Sequence, residues 1–176
     1  YKRQVIIMYF INRGSIITQA MFYNCDHAML TFNFYRSPKV ILNVFKTRVL
    51  TVSKVNLIPA MIIAFSLPIL LYLSGGTPSA MDYVSIPIFI ITLSIFFSIH
   101  YLVIYYLFQP YDKNMKMKSI SYSVISMLTY IIAYSLIDLK MSTTIFSILT
   151  IIATVTYSIL ALALVYKKSP MTFRIK

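Results

Sequence analysis

The chain has no glutamate and no tryptophan, and only four aspartates, one cysteine and three glycines stand among its 176 residues. Each scarcity closes a class of function. Asp26, Asp82, Asp112 and Asp138 all lie outside the apolar runs. No carboxylate is therefore placed at membrane depth, where intramembrane metalloproteases and most proton-coupled carriers need one. No Gly-x4-Gly-Lys-Ser/Thr loop occurs, so the chain does not cradle and hydrolyse ATP by that mechanism. Cys25 alone excludes an internal disulfide and a cysteine-based metal cluster. His27 and His100 lack the spacing of metal ligands, and no metal or other cofactor is expected. Without tryptophan, the interfacial aromatic belt falls to tyrosine, and Tyr83, Tyr111 and Tyr166 sit at run ends as such a belt requires.

What fills the chain is apolar. Hydrophobic residues make up 59% and charged residues 11%, with a mean hydropathy of +0.79, which is the composition of a membrane protein. Four long runs, Val55–Ser74, Tyr83–Gln109, Ser119–Ile137 and Thr143–Tyr166, contain no Asp, Glu, Lys or Arg. About 20 apolar residues in a helix cross the hydrocarbon core, so each run is long enough or nearly so. The predicted fold is all-α: a polytopic membrane helix bundle of four transmembrane helices behind a cytoplasmic helical segment. The boundaries fall at 1–54, 55–166 and a cytoplasmic tail, 167–176.

The net charge of +12 reads as membrane orientation and not as nucleic-acid binding. Eight Lys/Arg precede the first run, none lies between the first two, three follow the second, Lys140 alone follows the third, and four lie in the tail. The positive-inside rule then puts both ends of this chain in the cytoplasm of a multi-pass plasma-membrane protein. Basic segments beside spans also meet anionic headgroups of the bilayer. The chain opens with Tyr1 and a short apolar stretch, Val5–Ile11, too short to span, and reads as a piece of a longer protein.

Ser37-Pro38 has the form of a helix start, with Ser as N-cap and Pro at the first helical position. Over Pro38–Lys54, Ile41, Phe45, Val49 and Val52 share one side and Lys39, Lys46 and Lys54 the other. Arg48 breaks the pattern and needs an anion or must snorkel. Two readings fit this stretch: an amphipathic helix on the inner leaflet, or a plain juxtamembrane linker. Pro59 and Pro68 predict a kinked first span, Gly75-Gly76-Thr77-Pro78 ends it, and the short link Asp138–Ser142 predicts an antiparallel hairpin of the last two spans.

Three runs carry hydroxyl stripes at helical spacing: Ser94, Ser98, Tyr101 and Tyr105; Tyr122, Ser126, Tyr130 and Tyr134; Ser147, Thr150, Thr154 and Ser158. Such stripes pack membrane helices against one another, or they line a path. The candidate path residues are Ser94, Ser98, His100, Ser126, Tyr130 and Thr154. His100 is the one imidazole within a run, which is a functional signal in lipid, although a neutral His bonded to a tyrosine serves packing equally well.

The phrase Cys25-Asp-His-Ala-Met-Leu-Thr-Phe-Asn-Phe-Tyr-Arg-Ser-Pro38, an Arg-bearing helix and four runs after it resemble the middle of an ABC-2-type exporter permease. The later phrase Phe108-Gln-Pro-Tyr-Asp-Lys-Asn-Met115 is similar to exporter subunits as well. The resemblance implies a coupling element on Asp26, Leu30, Phe34, Tyr35 and Arg36, docking on a separate ATP-binding subunit. It further implies a dimer of permease subunits and spans equivalent to the third to sixth of six. The chain departs from the family in the short link Asp138–Ser142, which leaves no room for re-entrant outer helices, and in Asn33-Phe34 at the usual Leu-Pro. Two rival functions fit the residues: a non-transporting anchor or sensor module, and a secondary carrier.

Overall fold

The computed structural model describes residues 4–11, 14–31, 37–77, 79–112, 116–117, 119–136 and 141–174. All regular structure among them is helical, and three helices are long and apolar enough to cross a membrane. By length and composition this is a multi-pass membrane protein. The elements are α1 (Gln4–Ile11), α2 (Gly14–Met21), a π-helical turn (Phe22–Asp26), α3 (His27–Thr31), α4 (Pro38–Leu73), α5 (Ala80–Phe108), α6 (Ile120–Ser135) and α7 (Thr143–Thr172).

The helix α4 starts where the sequence predicts, with Ser37 in extended backbone and Pro38 at the first position. It then runs 36 residues without a break, about 54 Å at 1.5 Å per residue. The stretch Pro38–Lys54, read as an inner-leaflet helix or a juxtamembrane linker, is the first part of this same helix. Nothing between Pro38 and Pro59 breaks the hydrogen-bond ladder, so the helix has no cause to stop at the membrane edge. It ends at Gly75 and Gly76, whose φ of +106° and +77° only glycine adopts without strain. Past them, Thr77 Oγ1 donates to Asp82 Oδ2 at 3.0 Å and holds the turn against the start of α5.

The centre of the bundle is α5. Its apolar stretch is 67% buried, against 17% in α4 and in α7, which pack on two of its sides. Asn56, Ala60 and Ala64 form one small-residue face of α4 against α5, and both alanines are fully buried. That close approach lets Asn56 Nδ2 donate to Ser98 Oγ (2.8 Å) and Ser94 Oγ donate to the Asn56 carbonyl (3.1 Å). On the other side, Ser147 Oγ donates to the Ser85 carbonyl at 3.0 Å. The outward faces of α4 and α7 remain apolar and exposed, with Ile58, Ile62, Phe65, Ile69, Ile152 and Ile159 among them. Lipid is the solvent that suits such a surface.

The segment before α4 does not stand apart from the spans. Val5 and Met8 are buried, and Tyr9 meets Phe97 edge-on at 5.8 Å and Tyr130 at the same distance. Phe22 stacks on Tyr111 at 4.9 Å. Contacts therefore progress in the same direction on both elements, and α1 and α2 run beside α5 and parallel to it. The helices α1 and α2 of the segment expected over 1–54 thus pack against α5. Val5–Ile11 is too short to span alone, and Val5, Met8 and Tyr9 of it pack into the bundle core.

The helix α6 has 16 residues, about 24 Å long, and packs on α1 and α5. Ser119 caps it by accepting from the Tyr122 amide at 3.3 Å. It stands away from α7, so the predicted hairpin is an open one. The link at 137–140 lies outside the described residues. At the other end, α7 continues past the predicted boundary at Tyr166 to Thr172. The reason is local: Phe173 is fully buried and stacks on Tyr106 at 4.3 Å and 6°. Thr172 Oγ1 also donates to the Tyr106 carbonyl at 3.2 Å. Part of the predicted tail is thus packed structure.

Candidate functional site

Two polar constellations are built into this apolar frame. The first lies where the segment before α4 meets the C-terminal end of α5. The π turn Phe22–Asp26 inserts its wider ring into an otherwise α-helical path, a departure often found at functional positions. Its last residue, Asp26, is wholly buried.

Arg48 of α4 grips both Asp26 oxygens: Nη1 donates to Oδ2 at 2.6 Å, and Nη2 pairs with Oδ1. Arg48 Nη1 also donates to Tyr106 Oη at 2.9 Å. Tyr105 completes the shell by donating to Asp26 Oδ2 at 2.5 Å. A forked guanidinium facing a carboxylate is the geometry that recovers most of the cost of burying two charges. The misfit of Arg48 on its helix face is thereby explained, because it finds an anion. Aromatic rings pack around the knot: Phe45 meets Tyr106 edge-on at 5.2 Å, and Phe173 meets Tyr105 at 5.4 Å. Beside it, burial pushes the Tyr111 phenol up to about 12, although a hydrogen bond with Thr18 works the other way.

Of the five residues assigned to a coupling element, Asp26 and Leu30 are both buried within the chain. Phe34, Tyr35 and Arg36 lie outside the described residues. Within the chain Asp26 is paired with Arg48, and that pair ties the segment to α4.

The second constellation is centred on His100, where α5 faces both α6 and α7. Its Nδ1 lies 2.8 Å from Tyr157 Oη and its Nε2 lies 2.8 Å from Thr129 Oγ1. Phe96 stacks on the imidazole at 5.7 Å and 8°. Beside this trio a cavity of about 520 Å³ separates α6 from α7.

The six predicted path residues do not form one path. His100 and Thr154 line the cavity. Ser94 and Ser98 face α4 and bond to Asn56 and to each other's turn. Ser126 and Tyr130 face α1, where the Ser126 carbonyl accepts from Tyr9 Oη at 3.3 Å and Tyr130 packs on the Tyr9 ring. Tyr105, Tyr106, Thr129 and Tyr157 were not singled out as site residues. Arg48 was the available signal for the first knot, and the hydroxyl spacing along α7 for the second. No group of three or more His, Cys, Asp or Glu able to hold a metal occurs among the described residues.

Comparison with protein-family models, curated proteins and solved structures finds no match to this chain. The class that sequence and fold define is an all-helical, multi-pass membrane protein.

Proposed function

We propose that this chain is the membrane-spanning permease subunit of an ABC-type exporter, moved by a separate ATP-binding subunit. One observation supports the reading above the rest: the segment before α4 is bonded to two long helices at once, to α4 through Arg48 and to α5 through Tyr105. A push on that segment is transmitted to both helices through a charged, hydrogen-bonded joint and not through sliding apolar surfaces. In this reading Asp26 is the internal end of the lever, and Phe34, Tyr35 and Arg36 are the docking end. The protein works as a dimer in the plasma membrane, with α6 as the fourth crossing and the C-terminal end of this chain in the cytoplasm, while α1 lies beside the middle of α5.

Two experiments bear on the proposal. The first is topology in sealed cells. A cysteine at Thr77 should react with an impermeant maleimide added outside, and one at Thr172 should not, in a Cys25→Ser background. Outside labelling at 172 would reverse or break the orientation. The second is coupling. An ATP-binding subunit should co-purify with this chain and lose its association when Phe34→Ala is combined with Tyr35→Ala. Truncating central aromatic anchors typically costs about 2 kcal/mol or more each. Ser126→Ala should leave the association intact. Robust ATP hydrolysis by this chain alone, or wild-type partner retention by the double variant, would refute the assignment.

A further inference from the structure

The cavity between α6 and α7 has an unusual hydrogen-bond inventory. Five polar side chains reach it: His100, Thr129, Thr150, Thr154 and Tyr157. Each of their polar hydrogens already has a destination. Thr129, Thr150 and Thr154 donate to the carbonyls of Ile125, Phe146 and Thr150, at 2.8, 2.8 and 2.7 Å. With its hydrogen donated to Ile125, Thr129 Oγ1 accepts from His100, and this network assigns the imidazole proton to Nε2. Nδ1 is then bare and accepts from Tyr157, which spends the phenolic hydrogen. What remains facing the cavity is oxygen lone pairs: acceptors, no donors and no charge.

The other walls are apolar. Phe89, Leu93 and Phe97 of α5 form the floor, and Ile132 and Leu149 face each other across the gap. Its volume of about 520 Å³ falls in the ordinary range for small-molecule sites, roughly 300–1,000 Å³. Water would be poorly held, since each buried water needs two to four polar partners and twelve of the seventeen lining residues are apolar. The gap opens between two helices whose outer faces meet lipid, so its occupant enters from hydrocarbon.

We infer that this cavity binds a single-chain lipid that carries an uncharged hydrogen-bond donor, a hydroxyl, with the hydroxyl set against Tyr157 and Thr129 and the chain lying between α6 and α7 toward Leu136 and Met141. An anion is disfavoured because it would face lone pairs with no donor. A cation is disfavoured because no carboxylate lines the wall, and burying an unpaired charge is costly. An ether or ester of the same length fits the space and loses the bond. The inference stands apart from transport: an anchor or sensor module would hold the same ligand.

The test uses the whole chain in nanodiscs with a long-chain alcohol that carries a diazirine in mid-chain. The matching methyl ether and carboxylic acid serve as comparators. Photoadducts of the alcohol should concentrate at Ile132, Ala133, Ala153 and Thr154, and unlabelled alcohol should compete them away. The ether and the acid should label those positions about five- to tenfold less, the worth of one hydrogen bond in a dry site. Ala153→Phe, which fills the gap, should abolish the concentrated labelling. Adducts spread evenly over lipid-facing positions such as Ile58, Phe65 and Ile69, or equal labelling by alcohol and ether in the unaltered chain, would overturn the inference. The wild-type comparison decides the matter even if a variant does not fold.

Discussion

Replacing Arg48 by methionine is expected to be the most destabilising single change in the chain. It leaves Asp26, fully buried, with a hydroxyl from Tyr105 but no counter-charge. Breaking a buried pair by removing one partner typically costs about 3–5 kcal/mol. Asp26→Leu should cost a similar amount by stranding the guanidinium. The double variant Asp26→Leu with Arg48→Met should regain most of the loss, because an apolar pair avoids both desolvation penalties. Reversible unfolding in mixed micelles, titrated with SDS, measures all three. Additive single and double effects would show that the two side chains do not depend on each other, contrary to the geometry. Tyr105→Phe is a milder probe of the same knot. It removes one donor to a carboxylate, and the expected cost is about 1–3 kcal/mol.

Gly14→Ala is the second change with a large expected effect, and its sign is the informative part. Gly14 opens α2, and alanine is ordinarily the better helix residue by about 1 kcal/mol. Here, however, a Cβ would run into Cβ, Cγ and Cδ2 of Tyr101. Those atoms are the base of the ring side chain and cannot swing aside without moving α5. Overpacking of this kind costs about 1–3 kcal/mol, enough to outweigh the helical gain. Combining Gly14→Ala with Tyr101→Ala should recover part of the loss, and unfolding by SDS again gives the measure. A more stable Gly14→Ala variant would mean that α2 does not lie against α5 as described.

Both variants probe the part of the fold that was hardest to read. The apolar runs were legible because crossing a bilayer is a demand on length and composition, and those are properties of a segment by itself. The Pro38 start and the Gly75-Gly76 stop were legible for a similar reason, since each is a local backbone preference. Arg48 was legible as a problem: a cation on the apolar side of a helix must be answered by something. Its partner was not legible, because Asp26 is 22 residues away on a π turn whose sequence, Phe-Tyr-Asn-Cys-Asp, carries no signature of its own. For Val5–Ile11 the difficulty was different. An apolar stretch too short to span can belong to a loop, an interface or a bundle, and only its neighbours decide.

The hydroxyl stripes show the same division inside one helix. Ser94, Ser98 and His100 are all polar positions within the run of α5, and spacing along a helix assigns them to faces without saying what each face meets. Their fates differ because α4 brings small residues, Asn56, Ala60 and Ala64, close enough to claim the two serines, whereas α6 and α7 approach His100 and remain apart. Sequence alone determined that this chain is helical, lies in a membrane, carries its basic residues with a strong asymmetry, and lacks any carboxylate within its apolar runs. Tertiary structure alone decided which polar groups face one another. In hydrocarbon a polar group is stable only when paired, and pairing depends on where the helices stand as well as on what they contain.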